Sequence, residues 1–192
     1  DQLAIMREAL IGPLRQIHGI SDKVLSMALS TILMTAPRSK SHWFDVGVSM
    51  TVVDTLVHSL LHRVGILWRL DAQHRYGAGC YREHGCHDIL QRIAARIDAR
   101  QFNPLYPKTF PRMIQLAVWA FCSASGHNQC NGNRIDDTAS CRDQNCQLYP
   151  RCDRRRLHNV KVLPVPDEEN PKAGTCPANT QEINVTRKPG KQ

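Results

Sequence analysis

CNGNRIDDTASCRDQNCQLYPRC, residues 130–152, carries Cys130, Cys141, Cys146 and Cys152 with ten, four and five residues between them. Four thiols this close in sequence can surround one metal centre without help from the rest of the chain. Thiolates are soft ligands, suited to zinc or to an iron–sulfur cluster. A four-cysteine zinc site more often uses two close pairs separated by two residues, and this run has no such pair. The spacing therefore favours an iron–sulfur cluster, with zinc as the alternative and two disulfides as the reading without metal. Arg134, Arg142, Arg151, Arg154, Arg155 and Arg156 surround the run. A rigid loop carrying them, Arg151 and Arg154 in particular, is suited to touching DNA phosphates.

Outward from the run, the composition bounds the rest. The 192 residues are 42% hydrophobic and 6% aromatic, enough for one large domain or a modest domain with a tail. Lys and Arg number 25 against 17 Asp and Glu, giving +8, and the pI is near 9.3. That balance suits an anionic partner, nucleic acid being the commonest, although a generally basic surface gives the same count. His, Asp or Arg interrupt the apolar stretches well short of the ~18 residues of a membrane helix, so no membrane partner is expected. The opening DQLAIMREALIG lacks the basic start and apolar core of a signal peptide. Asn184-Val185-Thr186 matches a glycosylation acceptor, a tripeptide that arises often by chance. Metal-bound thiolates in a reducing compartment fit the cysteine cluster better, so a cytoplasmic (bacterial nucleoid) or nuclear location is expected. Because the chain opens directly into a helical pattern without Met, an upstream segment is expected too.

Apolar residues recur at helical spacing over 3–17, with Gly12 and Pro13 predicting a break into two short helices. Ser21 is a good N-cap for a helix from Asp22 to Met34, whose buried face should hold Val24, Leu25, Met27, Ala28, Ile32 and Leu33. Residues 36–41 read as a loop, and 42–68 as helical with a break before Asp54, after which Val57, Leu60, Leu61 and Val64 form an apolar stripe. Residues 71–86 read as a loop, 87–100 as an amphipathic helix with Ile89, Leu90, Ile93, Ala94 and Ile97 inward, and 109–123 as a more buried helix. The tail, 159–192, reads as extended or disordered, with one short strand at 160–165.

Three short segments carry candidate chemistry. In Ile17-His18-Gly19-Ile20-Ser21-Asp22-Lys23, a glycine turn between helices leaves backbone N–H groups that can hold a phosphate, through Gly19 and Ser21. An ordinary helix corner reads the same way. Lys23, in the first turn of the second helix, can serve as an amine nucleophile or stand as a solvated lysine. Asp54 opens its helix as a cap, or as a carboxylate at a cleft that stabilises positive charge on a sugar. Cys80 and Cys86, with His74, His84 and His87, form a second, weaker metal-ligand grouping. Cys122 reads as a core residue.

Together these segments resemble the helix-hairpin-helix DNA glycosylase superfamily, in its endonuclease III-like iron–sulfur branch. That family carries L-P-G-V-G-x-K, where this chain has residues 17–23, and V-D-T-H-V-x-R-x-x-x-R-L-G, where it has Val53-Asp54-Thr55-Leu56-Val57-His58-Ser59-Leu60-Leu61-His62-Arg63-Val64-Gly65. The family's C-x6-C-x2-C-x5-C keeps here only its last interval, Cys146 to Cys152. Ser21 replaces a glycine, Leu56 the usual His and Ser59 the first Arg, and an insertion around Thr35–Ser49 lengthens the lysine-to-aspartate interval. The resemblance implies an all-α fold: a helical domain (1–125) with a hairpin at 17–34 and a catalytic-aspartate helix at 54–67, then a cluster loop (126–158). It implies a monomeric enzyme that flips a damaged or mismatched base from double-stranded DNA and cleaves its N-glycosidic bond. Asp54 would support the oxocarbenium-like sugar. Lys23, if correctly placed, would attack C1′ and permit lyase action at the abasic site. The four cysteines of the run would hold the [4Fe–4S] cluster. The alternative is a non-catalytic, metal-stabilised DNA-binding module.

Overall fold

Ser21 starts a helix as its residue type predicts: its backbone is extended (φ −92°, ψ 159°) and its Oγ accepts the Val24 N–H at 3.5 Å. The computed structural model describes residues 2–131 and 135–157, the side chain of Arg38 excepted. Every α-helix or strand among them is a helix: α1 (Gln2–Leu14), α2 (Asp22–Met34), α3 (Ser41–Ser49), α4 (Thr55–Arg63), α5 (Ile66–Arg69), α6 (Cys86–Ala94) and α7 (Pro111–Cys122), with short 3-10 turns between some of them. The protein is all-α across the described residues. The tail at 159–192, the strand expected at 160–165, the Asn184 tripeptide and Arg134 lie outside those residues. No described helix is long and apolar enough to cross a membrane.

Two expectations change at the N-terminal pair. α1 runs unbroken through Gly12 to Leu14, because Pro13 falls in the last turn, where one lost backbone bond matters little. In α2, Leu25 and Leu33 are buried as expected, but the rest of the buried face is Ser26 and Ser30. Val24, Met27 and Ile32 are exposed (43%, 48% and 64%) and so is Ala28. The small serines let α2 lie close against α3, its most extensive neighbour. A first core forms there from Ile11, Leu25, Leu33, Val46 and Met50.

The 42–68 stretch breaks as expected, into α3, α4 and α5. Gly65, at φ +85°, turns the chain out of α4 into α5, so the helix after Asp54 ends at Arg63 and not at 67. Val57, Leu61 and Leu67 pack with Val53, Ile89 and Leu90 in a second core. Full burial of each such side chain contributes about 1.5–3 kcal/mol. α6 is shorter than its apolar pattern, ending at Ala94. Asp98 then caps a 3-10 turn through the Arg100 N–H. In α7 the buried positions include polar Arg112 and Gln115, which hydrogen-bond each other, while Leu116 and Trp119 are exposed. The face expected to be most apolar is thus partly turned outward. A third core joins Leu60 of α4 to Cys122, Cys130 and Ile135.

Candidate functional site

α4 is where the chemistry converges. Asp54 is its N-cap, half-buried, with Oδ1 accepting the Val57 N–H at 2.9 Å. Three polar residues of the helix, His58, His62 and Arg63, are buried at 8%, 2% and 2% exposure, an uncommon concentration in a core helix.

His58 lies one turn beyond Asp54 and reaches a loop more than ten residues downstream. Its Nδ1 stands 3.3 Å from Cys86 Sγ and 3.6 Å from Cys80 Sγ. His74 Nε2 stands 3.4 Å from Cys86 Sγ. One ligand atom from each of His58, His74, Cys80 and Cys86 lies within 4.8 Å of all the others. Among the described residues no other group of three or more His, Cys, Asp or Glu side chains is this tight. His74 Nδ1 is 2.7 Å from the Ala72 carbonyl. Donation of the Nδ1 proton to that carbonyl leaves the Nε2 lone pair facing the thiols. A hydrogen bond from Cys86, then those from His58 and His74, holds the Cys80 thiol down to about 3. The Cys86 thiol, bonded to that thiolate, is pushed up. At His74 burial opposes the charged ring, but Cys80 and the Ala72 carbonyl outweigh it and raise its pKa. These four side chains could hold a metal ion.

This grouping corrects the sequence reading at three positions. His58 belongs to it and was missed, because its motif assigns that position no role. His84 does not belong: it is exposed and lies beside Glu83 and Asp88. His87 does not either: its Nδ1 pairs with Thr51 Oγ1 at 2.6 Å. The signal in the chain was the even spacing of His74, Cys80 and Cys86, with five residues between neighbours each time.

The four cysteines of the run behave differently. Cys130, Cys141, Cys146 and Cys152 line one cavity together with Arg63, Gln129 and apolar neighbours. The run is fastened to the end of α4: Cys152 Sγ donates to the Arg63 carbonyl at 3.5 Å, and the Arg155 N–H donates to the same oxygen at 3.0 Å. The Arg154 N–H donates to Cys152 Sγ at 3.4 Å. Asp153 fills the space beside Gly65, where a Cβ would lie 1.8 Å from its Oδ2. Cys122 and Cys130 share a hydrogen bond, which lowers the Cys130 thiol, with Arg63 assisting, and raises that of Cys122. Arg63 is bonded to Asp137 through Nη2, yet among the described residues its buried Nη1 has no partner, nor has Gln129 Oε1. A buried guanidinium left with unused donors beside four thiols is the environment an anionic thiolate-bound cluster would satisfy. The donor set fits such a group, with Cys122 as a fifth thiol behind Cys130.

A groove of about 510 Å³ opens between the hairpin and the 76–81 loop. Ile20, Ser21, Asp22 and Lys23 line it together with Val53, Tyr76 and Tyr81. Gly19 makes the hairpin turn at φ +82°. Arg15 pairs with Asp22 at 2.5 Å and with Glu8, tying α1 to the start of α2. Val53 donates its N–H to the Tyr81 hydroxyl at 3.0 Å. The Asp54 carboxylate adds to burial in raising the Tyr76 phenol. The structure thus brings Lys23 and Val53, the residue before Asp54, to one groove, although Asp54 is not among its lining residues and no ion pair joins Lys23 to Asp54 among the described residues. Arg151 is exposed, whereas Arg154 is half-buried over the Tyr149 ring, 4.6 Å from its centre.

Compared with known proteins, the chain matches no family model, no curated protein and no solved structure.

Proposed function

We propose that the protein is a DNA base-excision glycosylase of the helix-hairpin-helix kind, with a [4Fe–4S] cluster held by Cys130, Cys141, Cys146 and Cys152. The observation that carries this reading is the groove itself: Lys23 and Val53, the residue before Asp54, both line it. Two segments 31 residues apart, each suggestive of DNA chemistry, meet at one opening large enough for a nucleotide.

In this reading the backbone around Gly19 and Ser21 holds a phosphate at the start of α2, as helix N-termini do. A base flipped from duplex DNA enters beside Tyr76 and Tyr81, whose rings offer stacking surfaces. Asp54 keeps Oδ1 on its helix cap and turns its other oxygen to the sugar, stabilising positive charge as the glycosidic bond breaks. The neutral Lys23 amine adds to C1′ as the base departs, one amine proton passing to the leaving base; opening of the C1′–O4′ bond, with the second proton going to O4′, gives a Schiff base, from which β-elimination expels the 3′ phosphate. Arg151, exposed on the cluster loop, contacts phosphate. The cluster would be structural and electrostatic, fixing the C-terminal run against α4, with no part in bond cleavage.

Asp54 spends one oxygen on a structural bond, and that favours a second reading, a metal-stabilised module that binds DNA without cutting it. A panel of duplexes, each with one lesion, scored for base release separates the two. The glycosylase reading expects release from at least one duplex and a borohydride-trapped adduct with abasic DNA that Lys23→Ala loses. Binding to every duplex with release from none leaves the module.

A further inference from the structure

We infer that His58, His74, Cys80 and Cys86 form a zinc site, separate from the cysteine run and independent of the glycosylase reading. Two thiolates and two imidazoles are the ligand types of structural zinc. Around one tetrahedral zinc, with Zn–S of about 2.3 Å and Zn–N of about 2.0 Å, neighbouring ligand atoms stand roughly 3.3–3.8 Å apart. The N···S separations of 3.3, 3.4 and 3.6 Å in the structure fall in that range. Cys80 and Cys86 are fully buried, and no carboxylate joins the group. A closed set of four soft and borderline ligands selects zinc over magnesium or calcium, and marks a structural site with no open coordination position.

The ligands come from three places that otherwise share little: α4, the loop at 71–85 and the first residue of α6. The loop doubles back on itself to present them. At Gly85 a Cβ would lie 2.4 Å from the Gly79 carbonyl oxygen and 2.8 Å from Cys80, so only glycine permits the crossing that brings Cys80 to Cys86. The Ala72 carbonyl fixes the His74 ring from outside the set, the usual arrangement behind a zinc-bound imidazole. Zinc here pins the loop bearing Tyr76 and Tyr81, one wall of the groove, to the helix that Asp54 caps. Binding proceeds with loss of the remaining thiol protons to solvent and involves no redox change.

The test is metal analysis of the 192-residue chain, purified anaerobically from cells grown with iron and zinc. The expected result is one zinc per chain, lost in Cys86→Ser and retained in Cys141→Ser. Should Cys86→Ser fail to fold, the cobalt-exchanged protein decides. The native chain gives the d–d bands of tetrahedral cobalt with thiolate-to-cobalt charge transfer. His74→Cys keeps the metal and strengthens the charge-transfer band by about half, as two sulfur ligands become three. A chain without zinc, zinc content that Cys86→Ser leaves intact, a Cys80–Cys86 disulfide in the anaerobic protein, or a cobalt spectrum that His74→Cys does not change would each overturn the assignment.

Discussion

His62 illustrates how one buried side chain sets a pH limit. It lies a turn beyond His58, 2% exposed, with neither ring nitrogen hydrogen-bonded among the described residues. Burial first, then the charges of His58, Arg155 and Arg63, lowers its pKa from 6.5 to about 4. A base whose folded pKa is depressed takes up its proton first in the unfolded chain. The protein therefore keeps this contribution above pH 6.5 and loses it as pH falls from 6.5 towards about 4. His62→Leu removes two unsatisfied nitrogens, and urea melts should give equal or higher stability at pH 7, by about 1 kcal/mol, with a shallower loss on acidification. A steeper acid loss in the variant would contradict this assignment. Gly65 makes a second residue-scale prediction. Its φ of +85° and the contact with Asp153 Oδ2 leave no room for a side chain. Gly65→Ala should lower stability by about 3 kcal/mol, and Asp153→Ala in that background should recover all but about 1 kcal/mol of it.

At the scale of elements, α4 has a mixed duty that substitution can divide. Asp54→Ala removes the cap and should cost about 1 kcal/mol in thermal or urea unfolding. Asp54→Asn keeps an acceptor for the Val57 N–H and should unfold within a few tenths of a kcal/mol of the native chain. Equal losses in both would mean that the charge, not the cap, stabilises the helix. The same element shows what the chain made legible. Its start was readable because Asp54 precedes an apolar stripe, and α2 was readable to the residue because Ser21 caps it. Faces were harder. Ser26 and Ser30 are buried where Met27 and Ile32 were expected, since close helix approach rewards small side chains that carry no hydrophobic signal. The apolar patterns at 87–100 and 109–123 overran their helices for a related reason. Ile97 lies half-buried beyond the end of α6, and α7 buries Arg112 and Gln115 as a mutually bonded pair.

For the whole molecule, what counts is how distant segments meet. The sulfur-rich run was evident locally, and its four cysteines do line one cavity. The four ligands of the tighter set span residues 58 to 86, and His58 entered only through folding, which local spacing cannot reveal. The groove likewise depends on packing across the 35–49 stretch, whose length gave no clue to where Lys23 would lie. Each end of α4 adjoins one part of the proposed machinery: Val53, the residue before its Asp54 cap, lines the groove, and Arg63 lines the cysteine cavity. The measurement that tests this account most directly pairs DNA affinity with base release for the native chain and Asp54→Asn, on the lesion duplex that the native protein processes. The account predicts affinity unchanged within about twofold and release lowered at least ~100-fold. Release at the native rate by Asp54→Asn would contradict it.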